Sequence, residues 1–177
     1  EVGTQITISS YKQNSLQGDS VLAEIYKHFG VKTTFQGNKI VISKTEISSQ
    51  ESLNFNHQSS PDIAQTVAVT CFGLGIGCHL TGLHTLKIKE TDRLEALKTE
   101  LSKLGANISV TNDSLTLEGL SAINSNIAIS TYNDHRMAMA FAPLALRAPI
   151  VIEKAEVVSK SFPTFWEDLK QIGFQIS

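Results

Sequence analysis

Two short stretches of ionisable residues stand directly before segments with a helical apolar pattern. The first is Lys89–Arg93 and the second is Asn133–Arg136, which opens the almost wholly apolar segment Met137–Leu146. Charges at the mouth of a buried helix are costly unless they meet an anion, a partner or solvent. The backbone N–H groups of a helix N-terminus also attract anions. The two stretches therefore predict a site for a small ligand with several negative charges.

The composition limits the classes of function to consider. The chain has 177 residues, of which 41% are hydrophobic and 18% are charged, and its net charge is −2. These values are ordinary for a soluble globular protein and argue against a broad basic surface for nucleic acid or an anionic membrane. No apolar run reaches the roughly 18 residues that a membrane span needs, and no signal peptide is visible, so we expect a cytoplasmic protein.

The cysteines and histidines give no metal pattern. Cys71 and Cys78 are the only two cysteines, and at this spacing they are typical of core residues rather than of a zinc motif or a disulfide framework. His57, His79 and His84 lack metal-ligating partners at useful spacing. The sequence therefore predicts no metal site.

An internal repeat organises the chain. Each of three blocks has an amphipathic helix, a glycine suited to a left-handed helix end, and a strand, and the first two add a polar turn and a second strand. The blocks are a helix over 19–29 with strands 31–35 and 38–43, a helix over 92–104 with strands 106–110 and 114–117, and a helix over 163–172 with a strand over 174–176. In the middle helix the core face is formed by Leu94, Leu97, Leu101 and Leu104.

Two further helices are apolar nearly all round, which favours a central, buried position. One starts at Ser60–Asp62, where Ser60 suits the N-cap and Pro61 the first helical position. The other starts at Asn133 and should kink or end early at Pro143. Together with the blocks, these helices predict one pseudo-symmetric α/β (mixed α+β) domain over residues 1–177, with mixed sheets and short crossovers.

Five motifs in this order resemble the C-terminal half of the 5-enolpyruvylshikimate-3-phosphate synthases, the 3-phosphoshikimate 1-carboxyvinyltransferases. They are Leu16–Asp19, Pro61–Asp62, Lys89–Arg93, Tyr132–Met139 and Lys160–Pro163. The resemblance implies an enolpyruvyl transferase fold of repeated βαβαββ units. It also implies that this chain is the C-terminal domain of a two-domain enzyme whose N-terminal domain is absent here.

The resemblance further implies a reaction in the shikimate pathway, which leads to chorismate and the aromatic amino acids. The enolpyruvyl group of phosphoenolpyruvate would be transferred to the 5-hydroxyl of shikimate 3-phosphate, and phosphate would be released. No metal or organic cofactor would take part. The partners would be the two substrates and the N-terminal domain of the same enzyme, and the isolated domain would be inactive alone.

Residue roles follow from the same resemblance. It implies that phosphoenolpyruvate is bound by Arg93, His135, Arg136 and Lys160. It implies that shikimate 3-phosphate is bound by Asp62, Lys89 and Thr85, and that Asp62 and Glu90 handle protons. Many family members carry Asn four residues before the lysine that corresponds to Lys89, and Arg two residues before it. This chain has Thr85 and Lys87 at those positions.

Other interpretations of these residues remain open at this point. Asp62 would also suit the first turn of a helix as a dipole-stabilising acid. Glu90 and Arg93 could form an ordinary surface ion pair, and Asp134 is better suited to cap its helix than to do chemistry. Two alternatives remain for the whole chain: a UDP-N-acetylglucosamine enolpyruvyl transferase, and a non-catalytic binding domain of the same fold.

Overall fold

The computed structural model of the chain describes residues 1–119 and 122–177, which form two compact units, Glu1–Gln50 and Glu51–Ser177. The strands are β1 (Gln5–Ser9), β2 (Val31–Gln36), β3 (Lys39–Lys44), β4 (Ser52–Asn56), β5 (Gly77–Thr81), β6 (Ile108–Val110), β7 (Leu115–Leu117), β8 (Ile127–Ile129) and β9 (Ile150–Ile152). The α-helices are α1 (Leu22–Ile25), α2 (Ala64–Leu74), α3 (Arg93–Lys103), α4 (His135–Phe141) and α5 (Phe165–Gln171). Short 3₁₀ segments lie at Gly18–Val21, Tyr26–Phe29, Pro61–Ile63, His84–Ile88, Ala142–Leu146 and Ala155–Lys160.

The first unit is a three-stranded antiparallel sheet in the order β1-β3-β2, together with a short helical stretch. The predicted helix over 19–29 is present, but only Leu22–Ile25 is α-helical and 3₁₀ turns flank it on both sides. Gly30 ends this stretch with φ +71°, as predicted for a left-handed helix end. An added Cβ at Gly30 would collide with the carbonyl oxygen of Glu46, so the close approach of the chain requires glycine here.

The second unit contains the repeat that the sequence predicts. Its main sheet has the order β4-β5-β7-β6, in which β4 and β5 are parallel and the other neighbours are antiparallel. The chain order β4-α2-β5-α3-β6-β7 is one complete βαβαββ unit. A second, partial copy of this βαβαββ repeat starts with the parallel strands β8 and β9, which are connected through α4, and continues to α5.

The core of the second unit lies around α2, α3 and α4. The four leucines predicted on the inner face of the middle helix are all fully buried, as are Cys71 and Met137. Cys78 is buried on β5, and both cysteines are free. The thiol of Cys78, hydrogen-bonded to Cys71, and burial both raise the pKa of the Cys71 thiol, so Cys71 is an inert core residue.

Two local predictions are wrong, each for a backbone reason. The segment 174–176 is not a strand, because the Phe174 N–H closes the end of α5 on the Leu169 carbonyl (3.1 Å) and no described strand pairs with the segment. The Ser60 side chain makes no capping hydrogen bond, because Pro61–Ile63 forms a 3₁₀ turn and α2 begins only at Ala64. The prediction for Pro143 is confirmed, since α4 ends at Phe141 and continues as a 3₁₀ turn.

Within residues 1–119 and 122–177, no helix has the length and apolar character to cross a membrane.

Candidate functional site

The candidate site of the second unit is centred on Arg93, the first residue of α3. Its side chain is only 2% exposed, and three carboxylates surround the guanidinium. Nε donates to Asp134 Oδ2 at 2.6 Å, Nη1 donates to Asp62 Oδ1 at 2.9 Å, and Nη2 donates to Glu90 Oε2 at 2.7 Å. The contact between Glu90 and Arg93 that the sequence left open is therefore made, within a network rather than as an isolated surface pair.

Asp134 holds Arg93 from the inside of the molecule. Its side chain is fully buried, and its Oδ1 also accepts the Arg136 backbone N–H at 2.8 Å, which confirms the predicted helix cap of α4. A buried carboxylate next to a buried guanidinium is a pair in which neither partner can be removed cheaply, because the other charge would be left without compensation. Asp134 is therefore fixed in position and is suited to orient its neighbours.

Asp62 forms the outer side of the network, on the 3₁₀ turn before α2. Its side chain is 32% exposed, its Oδ1 lies 3.2 Å from Lys89 Nζ, and its Oδ2 lies 3.8 Å from Arg136 Nη2. The Arg136 guanidinium also donates to the Asp62 carbonyl at 3.2 Å. Partial burial acts to raise the pKa of Asp62, but the hydrogen bond from Lys89 and the charges of Arg136, Lys89 and Arg93 outweigh it. The pKa of Asp62 therefore lies below its ordinary value.

Glu90 is the most exposed carboxylate of the group, at 47%. A hydrogen bond from its own backbone N–H, followed by the charges of Arg93, His135 and Lys89, lowers the pKa of Glu90 despite slight desolvation. His135 opens α4 with its Nδ1 4.0 Å from Asp134 Oδ1 and a quarter of its side chain exposed. Glu90 is thus an ionised, accessible carboxylate that its own backbone N–H and its cationic neighbours stabilise in the charged form.

These contacts define an ionic cluster of Asp62, Lys89, Glu90, Arg93, Asp134 and Arg136. Arg93 and Asp134 form its buried base, and the other four side chains are a third to a half exposed and form its rim. Because rim groups contact solvent, they can exchange an intramolecular partner for a ligand at a lower cost than the base can. The three carboxylates and three cations leave the cluster near neutrality.

Two of the predicted site residues are not joined to the ionic cluster. Lys160 ends the 3₁₀ segment that packs on α4 through the buried Val158, and its side chain is exposed. No hydrogen bond or ion pair links it to the cluster in the described part of the chain. The Thr85 Oγ1 atom, on the segment His84–Ile88, is buried without a hydrogen-bond partner among the described residues. These two assignments therefore depend on the resemblance alone.

Sequence reasoning missed one buried acid. Glu100 lies on α3 seven residues after Arg93, is 1% exposed and contacts the segment before α4. The available signal was an acidic residue within the apolar stripe of α3, between Leu97 and Leu101. Among residues 1–119 and 122–177, no three His, Cys, Asp or Glu side chains are grouped so that they could hold a metal ion.

Comparison with solved structures places the chain in a fold class. It superposes on an EPSP synthase from Acinetobacter baumannii with a TM-score of 0.81 and 24% sequence identity, over 99% of this chain and 43% of that one. An enolpyruvyl transferase from Streptomyces tendae gives a TM-score of 0.68 at 14% identity, over 98% of this chain and 39% of that one. These likenesses confirm the predicted enolpyruvyl transferase fold.

Sequence comparison gives the family. The profile of EPSP synthase (3-phosphoshikimate 1-carboxyvinyltransferase) matches residues 2–169, so the chain belongs to this family. A 3-phosphoshikimate 1-carboxyvinyltransferase from Bacteroides fragilis is 43% identical over 174 residues, which are 97% of this chain and 42% of the relative. The chain thus spans about two fifths of the length of the curated relatives that it matches.

Proposed function

We propose that the protein containing this chain transfers the enolpyruvyl group of phosphoenolpyruvate to the 5-hydroxyl of shikimate 3-phosphate and releases phosphate. The observation that carries the proposal is the ionic cluster, in which three cations meet two accessible carboxylates at the mouth of two buried helices. The reaction needs cations for a carboxylate and two phosphates, and it needs carboxylates for proton transfer. Membership of the family supports the same reaction.

Anion binding is the task of Arg93, Arg136 and Lys160, with His135 beside them. An arginine fork pairs with carboxylate or phosphate through two parallel hydrogen bonds. Arg93 already uses Nη2 to hold Glu90, which is exposed and therefore able to move. Phosphoenolpyruvate enters by replacing the Glu90 carboxylate on Nη2, and this exchange frees Glu90 for chemistry.

The proton transfers are assigned to the two rim carboxylates. In the first step a proton is added to the methylene carbon of phosphoenolpyruvate, while the 5-hydroxyl oxygen bonds to the neighbouring carbon and loses its proton. In the second step the methyl group returns a proton to the Glu90 carboxylate and the bond between carbon and the phosphate oxygen breaks. The leaving phosphate takes the hydroxyl proton from Asp62, so both carboxyls return to their starting state. Asp62 is an ionised carboxylate at the rim and accepts the hydroxyl proton. Its lowered pKa makes it a weaker base, so the proton is transferred as the oxygen–carbon bond forms.

Glu90 must carry a proton to act as the acid of the first step. In the ionic cluster its pKa is lowered, in part by Arg93 and Lys89, so the carboxyl is ionised before substrate binds. Bound anions neutralise those cations and place negative charge beside Glu90, and both changes raise the pKa of Glu90 above its value in the ionic cluster. Substrate binding therefore favours uptake of a proton by Glu90 from solvent before the first step.

Shikimate 3-phosphate is assigned to the side of the cluster formed by Asp62 and Lys89, and Thr85, which is not joined to the cluster, is assigned to the same substrate on the resemblance. Lys89 and Asp62 lie 3.2 Å apart, so one side presents both an acceptor for the hydroxyls and a cation for the phosphate. The remaining contacts come from the N-terminal domain predicted above. We therefore expect the chain alone to bind phosphoenolpyruvate weakly and not to turn over. We also expect the enzyme to work in the cytoplasm.

The test is phosphate release from phosphoenolpyruvate plus shikimate 3-phosphate, measured for this chain with and without a separately expressed N-terminal half. Release only when both halves are present is the expected result. Glu90→Gln should abolish most of it, whereas Glu95→Gln, the same substitution at an exposed position of α3, should not. An assembled pair that releases phosphate only with UDP-N-acetylglucosamine would favour the sister transferase. No release with either acceptor would favour a binding domain.

A further inference from the structure

The feature that the proposed function does not use is the buried carboxylate of Glu100. It lies on α3 with 1% exposure, about two helical turns beyond Arg93 and on nearly the same face. Its Oε2 accepts the Ser130 backbone N–H at 3.1 Å, and its Oε1 accepts the Tyr132 hydroxyl at 2.8 Å. Lys103 of the same helix pairs with it from the exposed side. Both carboxylate oxygens are therefore bound to the segment that leads into α4.

That segment, Ser130–Asp134, is here named the presenting turn because it delivers Asp134 and the start of α4 to the ionic cluster. Tyr132 and Asn133 have φ of +54° and +58°, a left-handed conformation that side chains other than glycine rarely adopt. Such a conformation persists only where the surroundings impose it. The surroundings here are contacts with α3 at both ends: Glu100 at the beginning of the turn and Arg93 at Asp134.

We propose that Glu100, acting through the Tyr132 hydroxyl and the Ser130 N–H, is the positioning residue that fixes the presenting turn, and with it Asp134 and Arg136 of the ionic cluster. This inference rests on the proposed function for its kinetic consequence. Because Glu100 is 1% exposed, it acts through the turn rather than on a substrate. It determines where Asp134 meets Arg93 and where Arg136 meets Asp62.

A purely structural role would not require a carboxylate at this position. A buried acid is more costly than leucine in an apolar helix face unless its oxygens are used by specific donors. Both oxygens are so used: each accepts a hydrogen bond from the same turn, and Lys103 adds an ion pair from the exposed side. Burial and the adjacent Glu100 carboxylate raise the pKa of Tyr132 to about 12, so the hydroxyl remains a donor throughout the working pH range.

The experiment compares Glu100→Gln, Tyr132→Phe and the double variant in the enzyme reconstituted from this chain and its N-terminal half. Glu95→Gln is the matched control, because Glu95 lies on the same helix but is half exposed and pairs with the exposed Lys98. Two readouts are taken. One is steady-state kinetics with each substrate varied in turn, and the other is amide hydrogen exchange of the peptide that contains Ser130.

We expect Glu100→Gln to raise KM for phosphoenolpyruvate about tenfold, the value of one charge-assisted hydrogen bond, and to change KM for shikimate 3-phosphate less than about twofold. The double variant should be no worse than Glu100→Gln alone, because both changes remove the same contact. Exchange at the presenting turn should accelerate about tenfold in Glu100→Gln and not in Glu95→Gln.

Three results would overturn the inference: unchanged exchange in Glu100→Gln, additive kinetic effects in the double variant, or a lower melting temperature with unchanged kinetic constants. If the parent enzyme shows no turnover, the proposed function fails, and the exchange measurement alone then decides whether Glu100 positions the turn. If Glu100→Gln does not fold, Tyr132→Phe removes only one hydroxyl and carries the same comparison.

Discussion

Replacing Asp134 by Asn tests the claim that the ionic cluster has a buried base. The substitution keeps the shape of the side chain and an oxygen for the Arg136 N–H, so the cap of α4 survives. It removes the charge that faces Arg93 Nε at 2.6 Å, where the two side chains are 2% and 0% exposed. What is lost is therefore the compensation of a buried guanidinium.

The expected loss is large. Removing one partner of a buried ion pair costs about 3–5 kcal/mol. Asp62 and Glu90 still contact Arg93 in the variant and supply part of the compensation, so we expect the lower end of that range, about 3 kcal/mol. With a urea dependence of about 2 kcal/mol per molar, the unfolding midpoint should fall by about 1.5 M.

Asp92→Asn is the matched control. Asp92 caps α3 by accepting the Glu95 N–H at 3.2 Å, as Asp134 caps α4, but it is a third exposed and its partner is Lys87 at 3.0 Å. An exposed pair of this kind contributes about 0–1 kcal/mol, so its midpoint should move by less than about 0.5 M. The comparison holds the residue type, the substitution and the capping role constant and changes the burial.

The assay is urea unfolding of the purified chain, followed by the fluorescence of Trp166. This is the single tryptophan; it lies on α5 in the second unit and donates to the Ala155 carbonyl at 2.9 Å, so it reports on the unit that contains the cluster. Similar losses for Asp134→Asn and Asp92→Asn would refute the reasoning. They would mean that the contact between Asp134 and Arg93 contributes no more than a surface pair.

Three other changes have definite expected outcomes. Arg136→Ala in the reconstituted enzyme should lower kcat/KM for phosphoenolpyruvate at least tenfold, because a charged hydrogen-bond donor to the anion is lost, and should lower kcat/KM for shikimate 3-phosphate less. Equal kcat/KM values for variant and parent would contradict this. Gly30→Ala should destabilise the first unit by at least about 3 kcal/mol, because it adds both backbone strain and a clash with Glu46. Gly37→Ala, at a position with φ +61° and open space around the added Cβ, should cost about 1 kcal/mol. Thermal melting followed by circular dichroism would separate the two variants, and equal losses would exclude the clash. Because the pKa of Tyr132 is raised from 10.0 to about 12, the contribution of its hydroxyl to stability is present below pH 10 and disappears as the pH rises through 12. In an absorbance titration, Tyr132→Phe should remove the phenolate step that occurs at the highest pH. Retention of that step would assign it to another tyrosine.

Much of the fold was predictable because its signals are local. The spacing of leucines in α3, the glycines at helix ends and the proline in the second apolar helix each act over a few residues, and the structure confirms them. The strand predicted over 174–176 failed because a strand also requires a neighbour. The backbone N–H of Phe174 is instead used to close α5.

The sequence predicted which residues form the candidate site but not which of them are buried and which are exposed. Sequence motifs named Arg93 and Arg136 as equivalent anion ligands, whereas Arg93 is buried and surrounded by carboxylates and Arg136 is a third exposed. This difference depends on contacts between segments about 30 to 70 residues apart in the chain, which no local pattern encodes. Glu100 was missed for the same reason, since Ser130 and Tyr132, its hydrogen-bond partners on the presenting turn, lie 30 and 32 residues away.

Helix α3 fixes the distance between Arg93 and Glu100 as well as the helix face on which both residues lie. Its rise of about 1.5 Å per residue separates the Arg93 and Glu100 backbones by about 10 Å, which is the span over which the presenting turn is fixed at both ends. Substitutions on the outer face of α3 leave this spacing intact. The insertion or deletion of a single residue between positions 93 and 100 would rotate Glu100 by about 100° away from Tyr132. Among relatives of this chain, the length of this helical interval should therefore vary less than the identity of the residues within it.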